Sequence, residues 1–361
     1  MLNLPNCSRL VRPVALAIAL AAPLLIAGHG SADIIKKEDM LRGVSITREQ
    51  CDAILQAVWV NAHGRDFCVR YYISTVGGEG RRPVVFLEGD KLGVFNGKTR
   101  TWNDPSRARD VDTAELVGIA DGFSRMVKTT AIYLARVGID GTSGDHMARK
   151  TVLERDVMNA ALDAIKQRYR FEGFHLAGQS GGSTVILGLL PIRTDIDCAV
   201  PGSAGSLTGQ DAALLTAEDP GRRYFDALHG IPAILQKRQA ARFIMVTEPQ
   251  DRRAGVQNKF FQELRKAGGQ AEQFNVLATD DDHHGVLEYT RLVVAGCVLG
   301  KSNVDIARAV STIVKRNTAF RERKEQEAAA KTATRTGSTQ PAPVPVTRGV
   351  APERPATGTA S

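Results

Sequence analysis

Phe174-His175-Leu176-Ala177-Gly178-Gln179-Ser180-Gly181-Gly182-Ser183 decides how this chain reads. A short apolar run ends at Gly178, and an apolar stretch resumes at Thr184. G-x-S-x-G between a strand and a helix sets the serine on a tight turn with its hydroxyl at the top of a sheet. The flanking glycines are required because a side chain there would strike the neighbouring strand and helix. In a chain with 34 glycines the motif alone is weak, so its surroundings must carry the reading.

Upstream, Ile54 to Val60 and Phe67 to Ser74 read as two strands around a hairpin signal at residues 61–66. Pro83 to Leu87 is a continuous apolar run fit for a buried central strand. Asp112 to Val127 reads as a helix with Asp112 as cap and Glu115 three residues on. Thr130 to Leu134 is a further buried strand, leading into a glycine-rich turn that holds Ser143 and His146 and is expected beside the site. Leu153, Val157, Ala161, Ile165 and Tyr169 mark one helix face. Downstream come a strand at Cys198–Val200, a mixed stretch at 207–240 read as an insertion over the sheet, and a strand at Arg242–Thr247. A helix then stops at Gly268-Gly269, followed by a strand at Gln273–Ala278 and a last core helix carrying Val286, Tyr289, Val293 and Cys297. Alternating strands and helices predict an α/β class: a mostly parallel central sheet with helices on both faces.

A serine hydroxyl needs a base to take its proton and a carboxylate to orient that base. Asp251 follows the strand ending at Thr247, and His284 follows the strand ending at Ala278. Each stands just past the C-terminal end of a predicted strand, where sites in open parallel sheets form. His283 competes with His284 for the role of base; Gly285 favours His284. The run Asp280–Asp282 competes with Asp251 as acid, but a charge run in a loop reads as a solvated turn. Ser143 lacks a second flanking glycine and reads as a turn residue; His146 is a candidate substrate contact. The catalytic candidates are therefore Ser180, Asp251 and His284.

The order Ser180, Asp251, His284 and these placements resemble the α/β-hydrolase family over roughly Cys51 to Leu299. The His-Gly pair before an apolar helix and the Gly-Gly after the serine resemble the dienelactone-hydrolase and prolyl-oligopeptidase branches. Those branches tend to have glycine where Glu248 stands here. The resemblance implies an oxyanion hole of two backbone N–H groups, one from Gly181 and one from Asp90 or Lys91. It implies a serine hydrolase cleaving carboxylic esters through an acyl-enzyme, acting on a small-molecule or short peptide acyl substrate. Two other readings stand beside it, a serine peptidase with the same residues and a non-catalytic binding protein on this fold. No cofactor is expected, and no C-x-x-C or similar spacing suggests a metal.

Arg9 and Arg12 precede an uncharged apolar run from Val14 to Ala27, too short to span a bilayer comfortably, and then Gly30-Ser31-Ala32. This reads as a signal peptide over 1–32, with the product periplasmic or secreted and not stably inserted in a membrane. The hydrolase domain is expected over 33–300, a C-terminal helix over 301–330 and a disordered tail over 331–361. The formal charge of +8 falls to +6 without Arg9 and Arg12, and seven Lys/Arg against four Glu from Arg321 onward account for another +3. The +3 left on the body is too little for a nucleic-acid footprint. Cys51, Cys68, Cys198 and Cys297 allow three pairings in an oxidising compartment, of which Cys51–Cys68 and Cys198–Cys297 are favoured.

Overall fold

The computed structural model describes residues 33–91, 95–205, 215–237 and 241–337. The expected signal segment 1–32, part of the expected insertion (207–214 and 238–240) and residues 338–361 of the expected tail lie outside the described residues.

Eight strands form the central sheet: β1 (Ala57–Ala62), β2 (Arg65–Ser74), β3 (Val84–Leu87), β4 (Ala131–Leu134), β5 (Phe174–Gln179), β6 (Ile196–Gly202), β7 (Arg242–Thr247) and β8 (Ala271–Asn275). Their spatial order is β1-β2-β4-β3-β5-β6-β7-β8. The β1–β2 and β2–β4 pairs are antiparallel. Every pairing from β4 through β8 is parallel. The longer helices are α1 (Thr113–Val127), α2 (Val152–Tyr169), α3 (Gly181–Leu189), α4 (Ala254–Lys266), α5 (Leu287–Val298) and α6 (Asn303–Gly337). This strand order, with one antiparallel strand near the edge and crossover helices between the parallel ones, is the α/β-hydrolase fold.

The two faces of the sheet are read from the period of two along each strand. Val85, Leu87, Leu176, Ala199 and Met245 face one way, into a core with Leu153, Val157, Leu162, Val185 and Phe260 of α2, α3 and α4. Val84, Phe86, Ala177, Val200 and Ile244 face the other way, against Leu116 and Phe123 of α1, Tyr289 and Val293 of α5, and Ile306 and Val310 of α6. Side chains on both faces of β3, β5 and β6 are buried, which is why these strands carry continuous apolar runs.

Several boundaries differ from the sequence reading. The hairpin turn is only His63-Gly64, both at positive φ, because Asn61 and Asp66 pair across it. Asp112 caps α1 through Ala114 N–H at 2.8 Å rather than through the Glu115 N–H, and the Glu115 carboxylate takes a fork from Arg109, so the expected two-way capping box is not formed. β8 spans Ala271–Asn275; Ala278 has left the ladder, and its N–H is taken by Glu248 Oε2 at 2.6 Å. α6 continues past Ala330 to Gly337, into the segment expected to be disordered.

Cys51 and Cys68 are bonded, with S–S 2.08 Å. Cys51 sits in a short helix, Arg48–Asp52, so the bond ties a helix to β2. Cys198 and Cys297 are bonded as well, joining β6 to α5. Among the described residues no helix is long and apolar enough to cross a membrane.

Candidate active site

The site is built on the turn between β5 and α3. Ser180 has φ 53° and ψ −116°, a conformation that a residue with a Cβ holds only when its surroundings enforce it. Its N–H donates to Gly202 O of β6 at 2.9 Å. Close packing of α3 on β3 does the rest: a Cβ on Gly182 would lie 2.1 Å from Leu87 O, and one on Gly181 would lie 2.0 Å from Asp90 Oδ1. Glycine at both positions lets the helix start against the end of β3. The Gly89 turn abuts the serine, since a Cβ there would stand 3.1 Å from Ser180 Cβ and 3.7 Å from Oγ.

Asp251 lies in the turn after β7, and its side chain is wholly buried. Its Oδ2 is 2.7 Å from His284 Nδ1, and its Oδ1 accepts the Arg253 N–H at 3.0 Å. Burial alone would raise this carboxyl. The hydrogen bonds from His284 and the Arg253 N–H outweigh burial and hold it below the usual carboxylate range. Glu248 is a buried brace whose Oε2 holds Ala278 N–H at the far side of β8. It thereby ties the Asp251 turn to the chain that leads into the histidine loop.

The adjacent histidines have different partners. Asp280 accepts the N–H groups of His284 (2.9 Å) and Gly285 (2.8 Å), and Gln179 Nε2 donates to His284 O at 2.7 Å, anchoring this loop beside the serine turn. His283, at φ 55°, points to α6, where its Nδ1 is 2.7 Å from Arg321 Nη2. Asp281 pairs with Lys324 of the same helix at 2.6 Å. So the acidic run shapes and anchors the loop through its backbone and α6, while among the described residues Asp251 is the carboxylate bonded to the His284 ring. No hydrogen bond joins Ser180 Oγ to His284; Arg253 Nη1 is instead 2.9 Å from His284 Nδ1 and 3.1 Å from Nε2.

On the oxyanion side, the N–H groups of Gly181 and Asp90 have no acceptor among the described residues. The Lys91 N–H is directed at His146 Nε2, at 3.4 Å. His146 Nδ1 is 3.1 Å from Val137 O, which fixes the neutral tautomer with the proton on Nδ1. Burial, aided by Arg136, lowers this imidazole to about 3, so it is a structural acceptor for the β3 turn. Ser143 is structural too, its Oγ accepting Cys68 N–H at 2.8 Å.

Sequence reading missed the ion network behind this turn. Arg136 is wholly buried; it forks onto Glu154 (3.0 Å twice) and reaches Asp90 Oδ1 at 2.8 Å. Burial opposes the Asp90 charge, but Arg136, Lys150 and His146 outweigh it and hold the carboxyl well below its ordinary range. Beside it, Tyr133 Oη lies 2.7 Å from Glu88 Oε2 and 2.5 Å from Asp140 Oδ2, and Lys91 Nζ pairs with Glu88 at 2.9 Å. The available signal was a charge at the end of each apolar strand, Glu88 after β3 and Arg136 after β4. Among the described residues no group of acidic, histidine and cysteine side chains could hold a metal ion.

No family profile matches the chain, and no curated protein matches it. Among solved structures it is similar to the esterase Pf2001 of Pyrococcus furiosus, at 12% identity and TM-score 0.46 over 72% of this chain and 94% of that one. It is also similar to Est1E from Butyrivibrio proteoclasticus, solved with ferulic acid bound (14% identity, TM-score 0.43, 68% and 99% of the two chains). A third is FphF, a fluorophosphonate-binding serine hydrolase of Staphylococcus aureus (14% identity, TM-score 0.43, 67% and 98%). At this distance the fold assignment rests on the strand order and the glycine-lined serine turn.

Proposed function

We propose that the chain is a serine hydrolase that cleaves carboxylic esters through an acyl-enzyme. The observation that carries this reading is a buried carboxylate 2.7 Å from a histidine Nδ1, in a loop bonded to the residue before a serine at φ 53°, ψ −116°. In this reading Ser180 Oγ attacks the ester carbonyl while His284 Nε2 takes its proton. Asp251 accepts from Nδ1–H, which fixes the tautomer and favours the imidazolium that forms. The N–H groups of Gly181 and Asp90 donate to the developing oxyanion; one such donor is worth about 10²–10³ in turnover. Nε2–H then protonates the departing alcohol, and water repeats the sequence to release the acid. Lys91 is left out of the hole because its N–H is already directed at His146.

The same groups serve an amide substrate, so a serine peptidase remains the second reading, and a non-catalytic role the third. We also propose export by the 1–32 segment, supported by the two disulfides, which belong to an oxidising compartment. The test of the catalytic reading is kinetic, on any activated ester that the wild type cleaves. His284→Ala should lower kcat by about three orders of magnitude or more, and His283→Ala by about tenfold or less. Loss of activity in His283→Ala alone would reverse the assignment, and loss in neither would end it.

A further inference from the structure

Among the described residues, Arg253 is the side chain bonded to the His284 ring that the reaction above does not use. Its Nη1 lies 2.9 and 3.1 Å from the two ring nitrogens of His284. A group at that range from both cannot lie in the ring plane, where Cε1–H stands between the nitrogens, so the guanidinium rests on the face of the imidazole. The side chain is partly buried, and burial lowers its pKa, with Arg252 next in the chain acting in the same direction. Among the described residues its nearest carboxylate is Asp251, with Oδ1 3.8 Å away and the other oxygen already on His284. The acids of the facing loop are otherwise engaged: Asp280 holds two backbone N–H groups and Asp281 holds Lys324, while Asp282 acts on Arg253 only from longer range.

A partly buried guanidinium whose nearest carboxylate among the described residues is shared with His284, laid on a base that must itself become a cation, is an unfavourable resting arrangement. A substrate anion would relieve both costs by drawing the guanidinium off the ring. The position of Arg253 also says which part of the substrate bears that anion. Nε2 hands its proton to the leaving oxygen, and Nη1 is 3.1 Å from Nε2, so groups on the leaving alcohol come within its reach. On the oxyanion side the cations Lys91, Arg136 and Lys150 are already paired with Glu88, Asp90 and Glu154.

We infer that Arg253 is a specificity residue that selects esters whose alcohol portion carries an anionic group, a carboxylate or a phosphate. The inference rests on the serine-hydrolase reading and names its substrate class. In the bound state the guanidinium forms a charge-assisted pair with the anion, and the Nε2 lone pair is left to Ser180.

The test compares two acetyl esters of one shape on the purified full chain: 4-acetoxybenzoate, with an anionic leaving group, and its neutral amide, 4-acetoxybenzamide. The wild type should favour the benzoate in kcat/KM by about tenfold or more, the worth of one hydrogen bond to a charged group. In Arg253→Gln that ratio should fall to about one, and in Arg253→Lys, which keeps the charge, part of it should return. A wild-type ratio at or below one, or a ratio that Arg253→Gln leaves unchanged while both rates fall, would overturn the inference. Labelling of the same preparations by a neutral fluorophosphonate separates the two claims. Labelled Ser180 without anion preference defeats this inference alone, whereas absence of labelling defeats the serine-hydrolase reading beneath it.

Discussion

His146→Gln should flatten the acid side of the stability profile, and the size of the effect follows from the site. Folded His146 is wholly buried and neutral, and its pKa is lowered to about 3 from an ordinary value of 6.5, by burial first and then by Arg136. A histidine with a depressed folded pKa stabilises the fold above the unfolded value and loses that contribution as pH falls towards the folded one. Between pH 6.5 and 4.5 the unfolded chain takes up a proton that the folded chain refuses. The slope reaches about 1.4 kcal/mol per pH unit only below about pH 6, because the unfolded histidine is already half protonated at about 6.5, so the interval amounts to about 2.3 kcal/mol. The other shifted groups that act on the ring do not titrate in that window: Arg136 stays charged, and Asp90 and Asp145 are held ionised below it. Glutamine can offer Val137 O a donor and Lys91 N–H an acceptor, so the contacts can be kept while the titration is removed. Urea unfolding at pH 6.5 and 4.5 measures the effect. Wild type should lose about 2.3 kcal/mol more than the variant over this interval. Equal losses, to within about 0.5 kcal/mol, would refute the buried neutral histidine and with it the hold on the Lys91 turn.

Gly182→Ala should lower stability by about 1–3 kcal/mol in thermal unfolding, because the new methyl meets the Leu87 carbonyl at 2.1 Å. Gly118→Ala, mid-helix in α1 with open space around the added Cβ, should instead gain about 0.5–1 kcal/mol. Chains ended after Ala330 should keep the wild-type melting temperature and ester turnover. Chains ended before Asn303 should lose both, since Arg321 and Lys324 anchor the histidine loop and Asn317 donates to Leu277 O and Tyr289 Oη; equal behaviour of the two truncations would show that α6 does not brace the site.

The sheet was legible because its central strands are apolar on both faces and its serine turn is glycine-lined, and both features follow from close packing alone. The proposed serine, acid and histidine stand out in the sequence as strand-end residues in one chain order, and the structure brings Asp251 to the His284 ring. The disulfide partners were legible as well, though Cys51 proved to lie on a helix, since Arg48–Asp52 is too short to leave a period in the sequence. Less could be read where a residue's partner is distant in the chain. Nothing local says that Arg136 reaches Glu154 or that Arg253 lies over His284, since each pairing exists only once the sheet is folded. The same limit hid the division of labour between His283 and His284, which is made by α6 and the Asp251 turn rather than by the loop itself. It also hid the engagement of Lys91 N–H by His146, across more than fifty residues of chain.

The central claim is an activated hydroxyl at Ser180, and active-site labelling addresses it most directly. A fluorophosphonate probe incubated with the folded full-length protein should form a covalent adduct that peptide mapping locates on Ser180, and Ser180→Ala should abolish it. An adduct on another residue, or labelling that survives Ser180→Ala unchanged, would contradict the account.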